Sequence, residues 1–110
     1  MKLLTSAINL HNSKLFFSKE ELKKILNCYS LGVSRGNWKD YAIHFSNHKA
    51  SFYIFKHSLA HPDCILTKSK KYKKNIFLYN LQFKNKNKSK FTKIDDLIVM
   101  LRRSELKIIY

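Results

Sequence analysis

Apolar residues recur along this chain with two different periods, and each change of period marks an element. Leu22, Ile25, Leu26, Tyr29 and Val33 follow helical spacing. Ser18 stands before them with Glu21 three residues on, the pattern of a capping box, and Phe17 and Leu22 occupy the positions of a hydrophobic staple. Gly36 supplies a stop, and Arg35 suits the negative end of the helix dipole. These signals predict a helix from Lys19 to Ser34. From Asp40 the period falls to two: Tyr41, Ile43 and Phe45 alternate with Ala42, His44 and Ser46. Asn47-His48-Lys49 reads as a turn and Ala50 to Lys56 as a second strand, so the pair predicts a β-hairpin.

Pro62, the single proline, places a loop over His57 to Asp63. Strands are then expected over Cys64 to Lys68, Asn75 to Phe83 and Ser89 to Phe91, with polar turns at Ser69 to Lys74 and Asn85 to Lys88. Thr92 with Asp95 and Asp96 signals a second helix start, and Ile94, Leu97, Ile98 and Leu101 mark its buried face. Val99 and Met100 make that helix apolar almost all round, which places it deep in the fold or at an interface. Leu106 to Tyr110 predicts a short C-terminal strand.

The expected fold class is α+β: an N-terminal helix, an antiparallel four- to five-stranded meander, a second helix and a short C-terminal strand. Residues 1–16 show no period and read as a loosely ordered N-terminal lead, leaving 17–110 as a single basic domain. In Ser51 to Phe55, Phe52 and Ile54 point one way while Tyr53 and Phe55 point the other. An antiparallel sheet with one wet face would alternate apolar and polar, so either both faces are covered or one offers aromatics to a partner.

Composition adds a bias in charge. Among 110 residues, 22 are basic and 7 acidic, a formal net charge of +15. Such a balance bears on partners and not on fold, and polyanions are the natural candidates. Nineteen of the basic residues are lysine and three arginine, a ratio that an A-rich codon bias also produces. The aromatic content of 14% is that of a chain that folds. Cys28 and Cys64 are too few for a disulfide scaffold and read as reduced thiols of a cytoplasmic protein. The apolar opening Met1 to Ile8 is broken by Thr5 and Ser6 and lacks a cleavage site, and no stretch has the roughly 20 apolar residues of a membrane span. No integral membrane contact is expected.

Candidate chemistry is sparse. Glu20 and Glu21 belong to one helix start and Asp95 and Asp96 to the other, while Asp40 and Asp63 fall in no catalytic spacing. Two glycines cannot build a phosphate-binding loop. His57, His61 and Cys64 form H-x3-H-x2-C, short of a four-ligand zinc site and interrupted by Pro62. No catalytic residue, metal or cofactor is assigned, and an enzyme is not expected. Lys49 to Phe55 has the look of an RNA-recognition strand but lacks the glycine of that motif.

The lysine runs remain. Lys68, Lys70, Lys71, Lys73 and Lys74 surround Tyr72, and Lys84, Lys86, Lys88, Lys90 and Lys93 follow, with no acid between 68 and 93. Alternate lysines of an extended segment share one edge at intervals of about 6.7 Å, near a phosphate spacing. The two groups flank a strand of about 30 Å, so a long polyanion suits them better than a compact ligand. Aromatics Tyr53, Phe55, Tyr72 and Tyr79 are candidates for base stacking. The favoured expectation is nucleic-acid (RNA or DNA) contact through phosphates, without sequence specificity given so few arginines. The alternative is a protein–protein interaction module, or a homodimer, using an aromatic sheet face around Tyr53, Phe55 and Tyr79.

Trp38-Lys39-Asp40-Tyr41-Ala42-Ile43, followed by Ala50-x-Phe52-x-Ile54-Phe55, resembles a family of small, mostly alphaproteobacterial proteins filed as a domain of unknown function (family 2794). The likeness runs from about Phe17 to Ile109 and is weak over the lysine-rich Thr67 to Thr92. It implies the same organisation and a bacterial setting, and it implies no mechanism.

Overall fold

A computed structural model describes residues 14–57, 60–71 and 76–108. The chain runs as helix α1 (Lys19–Ser34), strands β1 (Asp40–Phe45), β2 (Lys49–Phe55), β3 (Cys64–Lys70), β4 (Phe77–Phe83) and β5 (Ser89–Phe91), and helix α2 (Ile94–Ile108). The five strands form one antiparallel sheet whose spatial order follows the chain, β1-β2-β3-β4-β5. This is the expected α+β arrangement.

The first helix begins and ends where its sequence signals place it. Ser18 Oγ accepts the Glu21 N–H at 3.1 Å, and Glu21 Oε1 accepts the Ser18 N–H at 2.7 Å. At the other end Gly36 takes a left-handed φ of 77° and donates its N–H to the Val33 carbonyl. The chain then doubles back so that Trp38 lies on Gly32. A β-carbon at Gly32 would stand 2.1 Å from the Trp38 ring, so only glycine permits this approach. Tyr29 stacks parallel to the same indole at 6.2 Å.

Register converts the period-two pattern into two unlike faces. One row across the sheet reads Ile43, Phe52, Leu66, Leu81. A parallel row reads Tyr41, Ile54, Cys64, Phe83. Both rows lie on the face that both helices cover. Phe52, Ile54, Leu66 and Leu81 are buried there with Ile25 and Cys28 of α1 and Leu97 and Leu101 of α2. Lys24 of α1 also reaches Asp95 of α2 at 2.6 Å on the surface.

Among the described residues no helix covers the opposite face. Its central row is His44, Ser51, Thr67, Asn80, Lys90, polar throughout. Tyr53 is half-buried in the neighbouring row, and Phe55, on the same side, is buried although it stands apart from the main core.

The C-terminal segment differs from expectation. Leu106 to Ile108 continue α2 in place of starting a strand, while 109 and 110 lie outside the described residues. No glycine or proline interrupts the chain between Leu101 and Ile108, so nothing stops the helix. Of the N-terminal lead, 1–13 lie outside the described residues, but its last residues are held. Leu15 donates its N–H to the Ser46 carbonyl at 2.8 Å, and the Phe16 ring lies 4.7 Å from that of Phe45.

Candidate functional site

The lysines separate into three groups once the sheet is built. Lys68 is the exception among them. Strand parity turns it to the helix-covered face, in the row Phe45, Ala50, Lys68, Tyr79, Phe91, where it is only 5% exposed. Its ammonium donates to Glu21 Oε1 at 2.7 Å and to the Phe16 carbonyl at 2.9 Å, and lies over the Phe77 ring at 4.3 Å. Tyr79 donates its hydroxyl to the other Glu21 oxygen. Lys68 is therefore a structural cation and not part of a polyanion surface, because its charge is already matched inside the protein.

Burial pushes the Glu21 carboxyl up, but hydrogen bonds from Lys68, Tyr79 and the Ser18 N–H outweigh it and hold the carboxyl below its ordinary value. Burial and the hydrogen bond to Glu21 push the Tyr79 phenol well up, so it stays a neutral donor. Glu21 thus has two tasks at once, capping α1 and neutralising Lys68.

Lys70 and Lys71 are exposed where β3 ends, and Tyr72, Lys73 and Lys74 lie outside the described residues. Lys84, Lys86 and Lys88 are exposed in the turn from β4 to β5, followed by exposed Lys90 and Lys93. Lys70 pairs with Phe77 at one end of β4, while Lys84 follows Phe83 at the other, so β4, about 20 Å long, separates the groups. The expected aromatic face is not assembled as one surface. Tyr79 faces the helices and is buried, Phe55 is buried on the opposite side, and only Tyr53 is partly open there. Alternation along strands in register sends Tyr53 and Tyr79 to different faces.

Exposed aromatic surface occurs elsewhere, along β1. Tyr41 is 41% exposed and Phe16 54%, and they lie beside half-buried Ile43 and Phe45. Tyr41 is anchored from behind, stacked on Phe52 at 5.0 Å and edge-on to Tyr29 at 5.0 Å. Among the described residues β1 is also an edge strand, with Leu15 bonded just past its end at Ser46. Asp63 donates its N–H to the Ile54 carbonyl, which turns the peptide groups of Ile54 toward β3. Those of Phe55, Tyr53 and Ser51 then face β1, where they meet Asp40, Ala42 and His44. Tyr41, Ile43 and Phe45 consequently aim their N–H and C=O groups away from the sheet. The Tyr41 N–H takes the Asp40 carboxylate at 2.8 Å, in keeping with that direction.

From Asp40 to His48 there is no lysine or arginine. An edge this long, without a lysine and with Asp40 at its start as its one acid, is a template for a further strand. The alternation of 41–45 was legible in the sequence. That it forms an edge depends on sheet order, which local pattern does not encode.

Among the described residues no group of three metal-ligating side chains occurs, and no helix is long and apolar enough to cross a membrane. His57 and His61 are exposed while Cys64 is buried, and burial with the nearby Asp63 charge pushes its thiol well up. Neither Cys28 nor Cys64 is in a disulfide.

The family described as protein of unknown function (DUF2794) matches residues 15–91, which covers α1 and the whole sheet. No curated protein and no solved structure matches the chain.

Proposed function

The chain belongs to the DUF2794 family, and we propose that it works in the bacterial cytoplasm as a protein-interaction module that pairs with a second copy of itself through β1. The observation that carries this reading is the β1 edge, which takes no further strand among the described residues and whose outward peptide groups run beside exposed Tyr41 and Phe16, with no lysine from Asp40 to His48. Buried thiols without a disulfide suit a reducing compartment.

The pairing is specified by parity. An antiparallel strand added to this edge must match outward groups with outward groups. Centring two copies on Ile43 does so, setting Tyr41 opposite Phe45 of the second copy at both ends. Each Asp40 then lies toward the His44 and His48 end of the other strand. Cross-strand aromatic pairs contribute roughly 0.2–1 kcal/mol each.

A second reading rests on Lys84, Lys86, Lys88 and Lys90, exposed in succession with no acid among them: non-specific contact with RNA or DNA phosphates. Salt separates the two. Like-charged copies of +15 repel, and that repulsion is screened beyond about 8 Å at physiological ionic strength. Added salt therefore strengthens self-pairing, whereas it weakens phosphate binding. Sedimentation equilibrium at low and high salt is expected to give twice the monomer mass of 13.1 kDa, more completely at high salt. Ile43→Pro removes a donor that faces away from β2 and leaves the intramolecular ladder its bonds, so this variant is expected at the monomer mass. Tyr41→Lys acts the same way through an edge charge. A wild-type chain that sediments as a monomer at both salts overturns the proposal. Salt-sensitive RNA binding by that monomer would favour the second reading.

A further inference from the structure

We propose that the cavity between the end of α2 and the turn from β4 to β5 is a binding site for a small organic monoanion, a carboxylate on a compact apolar body. The cavity has a volume of about 490 Å³, within the usual range of roughly 300–1,000 Å³ for small-molecule sites. None of its lining residues belongs to β1, and it does not rest on the pairing proposed there.

Its walls divide by chemistry. Trp38, Phe83 and Met100 supply apolar surface, each fixed by a different element. Trp38 is wedged on Gly32, Phe83 ends β4, and Met100 comes from α2. Arg103 stands three residues after Met100, so both occupy one side of the helix and reach the same opening. Lys86 joins from the turn, where Asn85 takes a positive φ of 63°.

Charge decides the ligand class. Two cations, Lys86 and Arg103, and one carboxylate, Asp63, line the cavity, and neither cation forms an ion pair among the described residues. The lining is thus positive by one unit. Guanidinium binds carboxylate with two parallel hydrogen bonds, which makes Arg103 the anchoring group and Lys86 a supporting charge. Met100 is 38% exposed at this site, an open apolar side chain that the body of such a ligand would cover. The indole N–H of Trp38 is buried without a hydrogen-bond partner among the described residues, in the ring that forms part of the wall.

Trp38 is also the single tryptophan of the chain, so its indole gives one cross-peak in a ¹H–¹⁵N spectrum and reports directly on the cavity. Three probes share one body and differ in headgroup charge: phenylacetate, 2-phenylethanol and phenethylammonium. Phenylacetate is expected to move the indole peak saturably, with the alcohol weaker by about tenfold or more and the ammonium weaker still. Arg103→Gln, at an exposed position, is expected to weaken phenylacetate by about tenfold with the free spectrum otherwise retained. Lys86→Gln is expected to weaken it less. Equal binding of the alcohol and the carboxylate would overturn the proposal, as would preference for the ammonium, an unchanged affinity in Arg103→Gln, or no saturable shift.

Discussion

The two faces of the sheet are made from the same strands, one residue out of step, yet they treat polar groups in opposite ways. On the helix-covered face one buried charged side chain of the sheet, Lys68, interrupts apolar rows, and it is matched by Glu21, Tyr79 and the Phe16 carbonyl. On the open face the row His44, Ser51, Thr67, Asn80, Lys90 is polar from edge to edge. There Asn80 Oδ1 has no hydrogen-bond partner among the described residues. Lysine density along the chain therefore says little about what each lysine does. Lys68 and Lys70 are two residues apart, and one is an internal counter-ion while the other meets solvent.

The sharpest way to break the comparison is to remove the carboxylate. Glu21→Leu leaves Lys68 buried and uncompensated, and urea denaturation is expected to show a loss of about 3–5 kcal/mol. The same pair predicts an acid dependence. Because the folded carboxyl sits below its ordinary value, its stabilisation is complete above the unfolded value of about 4.3 and disappears as pH falls through the lower folded value. The wild type should therefore lose stability below about pH 4 more steeply than Glu21→Gln.

Next in size is Gly32→Ala. The Trp38 ring cannot clear a β-carbon placed 2.1 Å from it without leaving its stack on Tyr29, so a cost of about 1–3 kcal/mol outweighs the gain of up to about 1 kcal/mol in helix propensity. On the open face the sign reverses. Asn80→Val replaces a residue that disfavours strands with a β-branched one, so a gain of up to about 1 kcal/mol is expected in the same measurement. Lys90→Gln, exposed on that face, should stay within about 0.5 kcal/mol of wild type.

Local chemistry made much of the fold legible. The capping box and Gly36 bracketed α1, the change to period two marked the first hairpin, and polar turns bounded the three later strands of the sheet. What sequence left hidden was set by contacts between distant positions. Lys68 and Glu21 are 47 residues apart, and only strand register and helix docking bring them together. One signal was present: Glu21, Ile25, Cys28 and Gly32 form a single buried stripe of α1, and a carboxylate on such a stripe requires a cation. The cavity had no such mark, since Trp38, the pair Phe83 and Lys86, and Arg103 come from three separate segments. The end of α2 was misjudged because a short apolar run fits either a strand or the last turns of a helix.

The meander has a consequence for the order of folding events. Each strand pairs with its neighbour in sequence, so the sheet closes only short loops. The links from Glu21 to Lys68 and Tyr79 close loops of 47 and 58 residues and tie the helical layer to a sheet that can assemble without it. Contacts of that kind are expected to form after the rate-limiting barrier. Weakening them leaves the refolding limb of a chevron nearly unchanged and raises the unfolding limb, so the buried ion pair acts as a latch on the native state: it governs how long the protein stays folded more than how fast it folds.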